Sequence, residues 1–180
     1  MKQVLLTVIK NEKLNDLVYK MVLKGDTEGI KAGQFVNVKI DGLYLRRPIS
    51  VCEIQGDELT LIYKTVGKGT YLMSSFDKGT VLDVLTQLGN GYDLTLAGNK
   101  PLLIGGGVGV PPMYYLAKEL IKQGKKVSVI LGFNTKSEIF YEEEFKRLGA
   151  SVTVTTVDGS YGVKGFVTNA LPADYSYFYT

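Results

Sequence analysis

The sequence predicts two domains of different fold class, an antiparallel β-barrel in residues 1–97 and a doubly wound, parallel-sheet α/β domain in residues 98–180. The first part consists of short β-branched and aromatic runs separated by turn residues, a pattern typical of a small closed barrel or sandwich. From about residue 98 strands alternate with helices, which favours a parallel sheet. The continuous apolar run at residues 101–104 is typical of a parallel strand buried on both faces.

The barrel domain is predicted to contain short strands and one short helix. Glycine-containing turns separate the strand-forming runs. The helix is predicted at residues 70–76, after Gly67-Lys68-Gly69, so that its first backbone N–H groups could face an anion. Strands are predicted at residues 4–9, 16–23, 35–40 and 58–64, and residues 43–51 form a further extended stretch.

The α/β domain is predicted to alternate strands with two helices. The first helix covers residues 112–122 and is closed by Gly124. The second begins near Thr135, which fits a capping box with Glu138, and ends before Gly149. The last apolar strand reaches the end of the chain, so we expect this domain to be truncated at its C-terminus or covered there by a partner. Its strands are predicted at residues 101–104, 127–131, 152–157 and 175–179.

Composition excludes several classes of site. The 180 residues are 45% hydrophobic and 22% charged with a net charge of +3, and no dense basic run suggests nucleic-acid binding. Because there is no histidine, a histidine-based triad, a histidine-ligated zinc and an imidazole base are excluded. The single cysteine, Cys52, excludes an internal disulfide and a cysteine metal cluster. No segment resembles a signal peptide or membrane helix, so we expect a cytoplasmic protein without a membrane partner.

Two adjacent arginines lie in the extended stretch Leu45-Arg46-Arg47-Pro48-Ile49-Ser50. An arginine forms forked hydrogen bonds to phosphate and stays charged at any working pH, so the stretch is a candidate site for a phosphorylated cofactor. The alternative is an edge strand with solvated arginines and a proline that blocks pairing. In a regular strand Arg46 and Arg47 point to opposite faces, which leaves Arg46 facing the adenine side, a partner or solvent.

A glycine-rich turn follows the first strand of the α/β domain. Its sequence, Gly105 to Pro112, has the spacing G-x-G-x-G-x-x-P, which differs from the common G-x-G-x-x-G. Glycines let the backbone approach a pyrophosphate closely, and the following helix N-terminus attracts its negative charge. The alternative is a flexible turn without a ligand, but the position between a buried strand and a helix favours nucleotide binding.

The two halves together resemble the ferredoxin–NADP reductase superfamily, in which a flavin-binding barrel precedes a nicotinamide-binding α/β domain. Arg47-Pro48-Ile49-Ser50 is similar to its R-x-Y-S flavin motif, with Ile49 in place of the aromatic residue, and Gly105 to Pro112 matches its nucleotide loop. Within the superfamily the chain most resembles the electron-transfer subunits of NAD-dependent dihydroorotate dehydrogenases. That resemblance covers all 180 residues and includes segments 32–36, 45–50, 62–64, 67–70, 105–112 and 158–162.

The resemblance implies an FAD-containing subunit of an NAD-linked oxidoreductase in pyrimidine biosynthesis. It implies a hetero-oligomer with an FMN-containing dihydroorotate dehydrogenase catalytic subunit and hydride transfer between NAD(H) and flavin without a catalytic side chain. Tyr63 is a candidate to replace the missing aromatic contact or is a half-buried strand residue. The implied FAD-binding residues are Arg47, Pro48, Ile49, Ser50, Ile62, Tyr63, Lys64, Gly69 and Thr70, and those for NAD(H) are Gly105, Gly106, Gly107, Gly109 and Pro112.

One feature of the family is not expected here. Its full-length members continue into a segment that holds a two-iron two-sulfur cluster, which Cys52 alone cannot ligate. Asp158 could contact a ribose or the nicotinamide, or simply form a turn. The alternatives to the implied function are a related flavin subunit of an NAD(P)H–ferredoxin or sulfide oxidoreductase and a flavin- or nucleotide-binding module without catalysis. The choice between NAD and NADP is left open.

Overall fold

The computed structural model describes all residues from Met1 to Thr180, and the chain forms two compact units, Met1–Tyr92 and Asp93–Thr180. The predicted fold class is confirmed, because a closed antiparallel barrel is followed by a separate parallel sheet. The assignment of residues 1–97 to an FAD domain and of residues 98–180 to an NAD domain stays a prediction.

The first unit contains the elements β1 (Lys2–Lys13), β2 (Val18–Lys24), β3 (Phe35–Val38), β4 (Arg47–Gln55), β5 (Glu58–Lys64), α1 (Lys68–Ser74) and β6 (Val81–Leu88). Its six strands form a closed barrel in the order β1-β2-β5-β4-β3-β6, and each neighbouring pair is antiparallel. The strand β6, which closes the barrel between β1 and β3, was not among the predicted strands. The predicted helix begins two residues early, at Lys68.

A buried polar link holds α1 against the barrel. The Tyr63 hydroxyl on β5 donates to the Asn11 side-chain oxygen on β1 at 3.0 Å. The Asn11 amide then donates to the backbone carbonyls of Met73 at 2.9 Å and Phe76 at 3.1 Å, at the end of α1. The Asn11 amide thus adds donors to carbonyls in and just after the last turn of α1. Burial raises the pKa of Tyr63, so its hydroxyl keeps its proton and the link persists over the physiological pH range.

The second unit contains the elements β7 (Pro101–Gly106), α2 (Val110–Lys122), β8 (Ser128–Phe133), α3 (Glu142–Leu148), β9 (Ser151–Thr156), β10 (Val163–Lys164) and β11 (Tyr177–Tyr179). Its strands form a five-stranded parallel sheet in the order β10-β9-β8-β7-β11. The chain moves outward from β7 through β8, β9 and β10 and then returns to the other side of β7, so β7 is the topological switch point. Ligands of open α/β sheets bind beyond the carboxyl ends of the strands at such a point.

The single helix predicted from Thr135 to Gly149 is wrong in its first half. Residues Lys136–Glu138 form one 3-10 turn, and α3 begins only after Tyr141, whose φ of 67° breaks the helix. The Thr135 hydroxyl pairs with that of Ser137 rather than capping a helix N-terminus. Tyr141 is held in this conformation by aromatic packing, with its ring 5.0 Å from that of Tyr114 on α2.

None of the helices combines the length and the apolar character that crossing a membrane would require. The cytoplasmic location expected from the sequence stays a prediction.

Candidate functional site

The structure separates the two arginines of the motif by their partners. Arg46 forms a forked ion pair with the Asp83 carboxylate on β6, in which Nη1 donates to Oδ1 at 3.1 Å and Nη2 donates to Oδ2 at 2.9 Å. The same Nη1 also donates to the Asp83 backbone carbonyl at 3.0 Å. The Gln3 side-chain amide donates to the same carboxylate. Arg46 is therefore a structural residue that links the start of β4 to β6. Local sequence does not indicate this role, because Asp83 lies 37 residues away.

The Arg46–Asp83 pair makes folding sensitive to acid. Arg46 holds the pKa of Asp83 below its usual range of about 4, so the stability that the pair contributes is complete above that range and is lost as pH falls through the lowered value. We expect D83N to be less stable than the unchanged protein by about 1 kcal/mol at pH 7. Urea unfolding at several pH values should show this difference shrinking below about pH 4, whereas a constant difference would contradict the assignment.

Arg47 differs from Arg46 because no carboxylate lies within ion-pair distance of it. Its Nη1 donates to the backbone carbonyls of Leu45 at 2.6 Å and Arg46 at 3.3 Å. The guanidinium lies directly over Gly69 in the first turn of α1, where a Cβ would overlap Nε and come within 2.8 Å of Cζ. A half-buried cation without an acidic partner is suited to an anionic ligand. Arg47 and Gly69, 22 positions apart in the sequence, are thus brought together as one candidate phosphate site.

The other predicted FAD residues differ in accessibility. Pro48 is exposed, whereas Ile49, Ser50 and Lys64 are half-buried on β4 and β5. The Thr70 hydroxyl closes the turn before α1, since it accepts from the backbone N–H groups of Val66 and Gly67. It is therefore used within the protein, while the N–H groups of Gly69 and Thr70 belong to a first helical turn that lacks intrahelical acceptors.

Two members of the predicted set, Ile62 and Tyr63, are buried in β5 with exposures of 3% and 2%. The Tyr63 ring stacks on that of Tyr19 with the centroids 6.0 Å apart, and its hydroxyl bonds to Asn11. In this structure the ring is part of the barrel wall. A flavin contact from this strand would come most simply from its backbone.

The glycine loop opens onto a cleft of about 280 Å³ at the carboxyl ends of β7, β8 and β9. Gly106, Gly132 and Thr155 occupy the same level on these three strands. Because two of the three have no side chain, the strand backbones form a flat surface, which we call the glycine shelf (Gly106 and Gly132). Gly106 is exposed, whereas the Val167 side chain packs against Gly132, with its Cγ1 2.5 Å from the position of a Cβ. The cleft is lined by Gly106, Gly107, Gly132, Phe133, Asn134, Glu138, Thr155, Val157, Gly165, Phe166 and Val167.

The predicted loop residues have different roles in the structure. A Cβ on Gly105 would lie 2.9 Å from the Gly109 carbonyl oxygen and 3.0 Å from the Val110 Cα, so this glycine permits the close approach of strand and helix. Gly106 instead faces the cleft, and Gly107 has a φ of 51° that turns the chain into α2. Pro112 lies in the first turn of α2, where its missing N–H costs no helical hydrogen bond.

Three polar residues of the cleft were not predicted. The Asn134 amide donates to both oxygens of Glu138, at 3.2 and 3.0 Å, which places this carboxylate at the cleft. The third, Thr155, has a fully buried hydroxyl without a hydrogen-bond partner. The glycine shelf leaves room for a ligand, and the unsatisfied Thr155 hydroxyl beside it suits a ligand with polar groups. A pyridine nucleotide is such a ligand. Only the strand order, which the sequence does not show, places these residues next to the glycine loop.

Asp158 forms hydrogen bonds within its own turn, and Cys52 is buried in the barrel. The Asp158 carboxylate accepts from the Ser160 hydroxyl at 2.6 Å and its N–H at 2.9 Å, and these bonds lower the pKa of Asp158. Ser160 in turn accepts from the backbone N–H of Lys136 at 2.8 Å. Asp158 thus stabilises a turn, which is one of the two roles considered from the sequence. Cys52 is fully buried in β4.

Comparisons with known proteins agree with this architecture. Residues 103–176 match the oxidoreductase NAD-binding domain family. The electron transfer subunit of dihydroorotate dehydrogenase B (NAD(+)) from Bacillus pumilus is 47% identical over 180 residues, which are 95% of this chain and 69% of the relative. The subunit of the same name from Fusobacterium nucleatum is 49% identical over 174 residues, covering 92% of this chain and 67% of the relative.

Solved structures show the same fold. An NADH-dependent reduced ferredoxin-NADP oxidoreductase, described for flavin-based electron bifurcation, is 31% identical with a TM-score of 0.82 over 93% of this chain and 62% of its own. An Amycolatopsis cytochrome P450 reductase, at 18% identity and a TM-score of 0.84, covers 98% of this chain and 60% of its own. The chain spans about two thirds of the curated relatives. With this identity over that length, the chain belongs to the family of electron transfer subunits of dihydroorotate dehydrogenase B.

Proposed function

We propose that this chain holds FAD on its barrel unit and NAD(H) on its parallel-sheet unit, and that it passes reducing equivalents between NAD(H) and a dihydroorotate dehydrogenase in pyrimidine biosynthesis. The observation that carries the proposal is the Arg47 guanidinium over Gly69, a cation without an acidic partner in a barrel followed by a nucleotide-binding sheet. Subunits of this family are named for electron transfer and for NAD(+).

On the barrel unit, we assign the FAD pyrophosphate to Arg47 and to the N–H groups of Gly69 and Thr70. A forked guanidinium suits phosphate oxygens, and first-turn N–H groups add donors without a charged side chain. Ser50 is a hydrogen-bond donor near the flavin, and Pro48, Ile49, Ile62, Tyr63 and Lys64 shape its surroundings. When bound, FAD supplies the ability to accept a hydride and to release electrons singly. The chain contributes binding and orientation, which suits a sequence without histidine.

On the second unit, the glycine shelf and loop residues Gly105, Gly107, Gly109 and Pro112 form the proposed NAD(H) site. The carboxylate of Glu138 lines the same cleft and is held by Asn134. In dinucleotide-binding folds a carboxylate near the ribose accepts from the 2′-hydroxyl, and it would repel a 2′-phosphate. Glu138 therefore favours NAD over NADP.

The relatives are named as subunits of dihydroorotate dehydrogenase B, which implies a catalytic partner. We propose that this partner contains FMN and assembles with the chain as a hetero-oligomer. An iron–sulfur cluster is not assigned to these residues, because Cys52 is the one cysteine of the sequence.

Purified protein reconstituted with FAD tests the two sites separately. We expect one FAD per chain by absorbance, and NAD⁺ binding by calorimetry that is at least about tenfold tighter than NADP⁺ binding, since a tenfold ratio needs only 1.4 kcal/mol. A protein that takes up no FAD would overturn the barrel assignment. A yellow protein with no affinity for NAD⁺ would overturn the assignment of the cleft and support a flavin-binding module.

The 31% identity to an NADH-dependent ferredoxin-linked enzyme favours one second candidate, a flavin subunit that exchanges electrons with ferredoxin. Mixing the NADH-reduced protein with either ferredoxin or an FMN-containing dihydroorotate dehydrogenase distinguishes the two. If ferredoxin reoxidises the flavin and the dihydroorotate dehydrogenase does not, the result favours the ferredoxin-linked flavin subunit.

A further inference from the structure

The Thr155 hydroxyl is the one buried side-chain polar atom of the protein that lacks a hydrogen-bond partner. Thr155 lies at the carboxyl end of β9 with 0% exposure and lines the cleft. A buried hydroxyl normally has a partner, because an unmade bond leaves its desolvation uncompensated. A native exception next to a ligand cleft therefore points to a partner that arrives with the ligand.

Two neighbours of Thr155 offer its hydroxyl no side-chain partner. At its level on β8 lies Gly132, where a Cβ would be 3.5 Å from the Thr155 Oγ1, so both positions face the same side of the sheet. Val167 also lies on this side, since its Cγ1 would be 2.5 Å from the same Cβ. Glycine and valine offer no side-chain donor or acceptor. The hydroxyl thus lies beside the glycine shelf and near an apolar side chain.

The next residue on the strand, Thr156, shows the ordinary case of a hydroxyl with partners in the protein. The Thr156 hydroxyl donates to the Tyr161 carbonyl at 2.7 Å and accepts from the Tyr161 N–H at 3.0 Å. It stabilises the loop after β9 in the ordinary way. The two adjacent residues have the same side chain, but only the Thr156 hydroxyl has hydrogen-bond partners within the protein. A structural role therefore explains the hydroxyl of Thr156 and not that of Thr155.

We propose that Thr155 is a nucleotide-binding residue, whose hydroxyl hydrogen-bonds to a polar group of the pyridine nucleotide lying on the glycine shelf. The inference rests on the proposed NAD(H) site and adds a contact to it. Because the Thr155 oxygen is buried in this structure, binding requires side chains that line the cleft beside it, such as Val167, to move aside. The hydroxyl then gains the bond that it lacks.

The inference predicts effects of opposite sign on folding and binding. T155V replaces an unsatisfied hydroxyl with a methyl group of similar size, so we expect the FAD-loaded, nucleotide-free protein to melt about 2–4 °C higher. The same change should weaken NAD⁺ binding about tenfold, because the ligand loses one hydrogen bond at a desolvated site. T155S retains the hydroxyl and should bind NAD⁺ nearly as the unchanged protein does.

Thermal melting and NAD⁺ calorimetry on the FAD-loaded protein test these effects, with T156V as the control for losing a satisfied hydroxyl. T156V should melt lower, because the loop loses two hydrogen bonds. If T155V and the unchanged protein bind NAD⁺ equally, the role of Thr155 is refuted while the proposed function stands. If T155V binds weakly but also melts lower, the hydroxyl has a structural partner and the inference fails. If the unchanged protein binds no NAD⁺, the proposed function itself fails.

Discussion

Replacing Arg47 with alanine is expected to weaken FAD binding by about 2–3 kcal/mol, or roughly 30- to 150-fold. Arg47 has no acidic partner to leave behind, since its protein bonds are to the carbonyls of Leu45 and Arg46. The loss should therefore fall on the ligand rather than on the fold. FAD titration of the apoprotein, followed by quenching of flavin fluorescence, measures it.

Two further variants sharpen the Arg47 prediction. R47K keeps the charge but not the fork, so an intermediate loss of affinity is expected. R147A removes the same charge from an exposed site on α3 and should leave FAD affinity unchanged. If R47A held FAD as tightly as R147A, Arg47 would not bind the pyrophosphate.

The second large effect is expected for G106V, which should abolish NAD⁺ binding and leave FAD in place. Gly106 has a φ of −119° and a ψ of 131°, an extended conformation that valine prefers. A Cβ there would come no closer than 3.8 Å to another atom, the Gly132 carbonyl oxygen, so the fold accommodates it. The two methyl groups would instead occupy the shelf. We expect a loss of more than about 100-fold, or about 2.8 kcal/mol, by calorimetry.

The neighbouring glycine provides the contrast for G106V. G105A would place its Cβ within 2.9 Å of the Gly109 carbonyl oxygen, so we expect it to destabilise the second unit itself. Retained FAD absorbance in G106V shows that the barrel is intact. NAD⁺ binding by G106V at unchanged affinity would contradict the placement of the nucleotide on the shelf.

Local patterns were sufficient to predict most of the fold. The short β-branched runs became barrel strands, and the apolar run before the glycine loop became β7 at the switch point of a parallel sheet. The failures arose where tertiary contacts override local preference. The helix predicted from Thr135 is interrupted because Tyr141 adopts φ 67° within an aromatic cluster, which no short-range signal reveals. Residues Val81–Leu88 form a strand that was not predicted, although its buried and more exposed positions alternate.

The candidate site divides in the same way. Arg47 and the glycine loop are recognisable in the sequence. Two adjacent arginines precede a proline in an extended stretch, and several glycines lie between a strand and a helix. The role of Arg46 cannot be predicted from the local sequence, because its partner Asp83 comes close to it only when the barrel is closed. Thr155 is one of several strand threonines until burial is known. Motifs therefore predict groups that bind ligand directly, whereas the groups that support or complete a site depend on the packed structure.

In the proposed function NAD(H) and FAD exchange a hydride on this chain. The most direct test is an anaerobic titration of the FAD-loaded protein with NADH, followed by flavin absorbance. We predict complete bleaching with about one NADH per chain, because a hydride carries the two electrons that a flavin accepts. A flavin that stays oxidised in excess NADH, in protein shown to bind NAD⁺, would contradict the account.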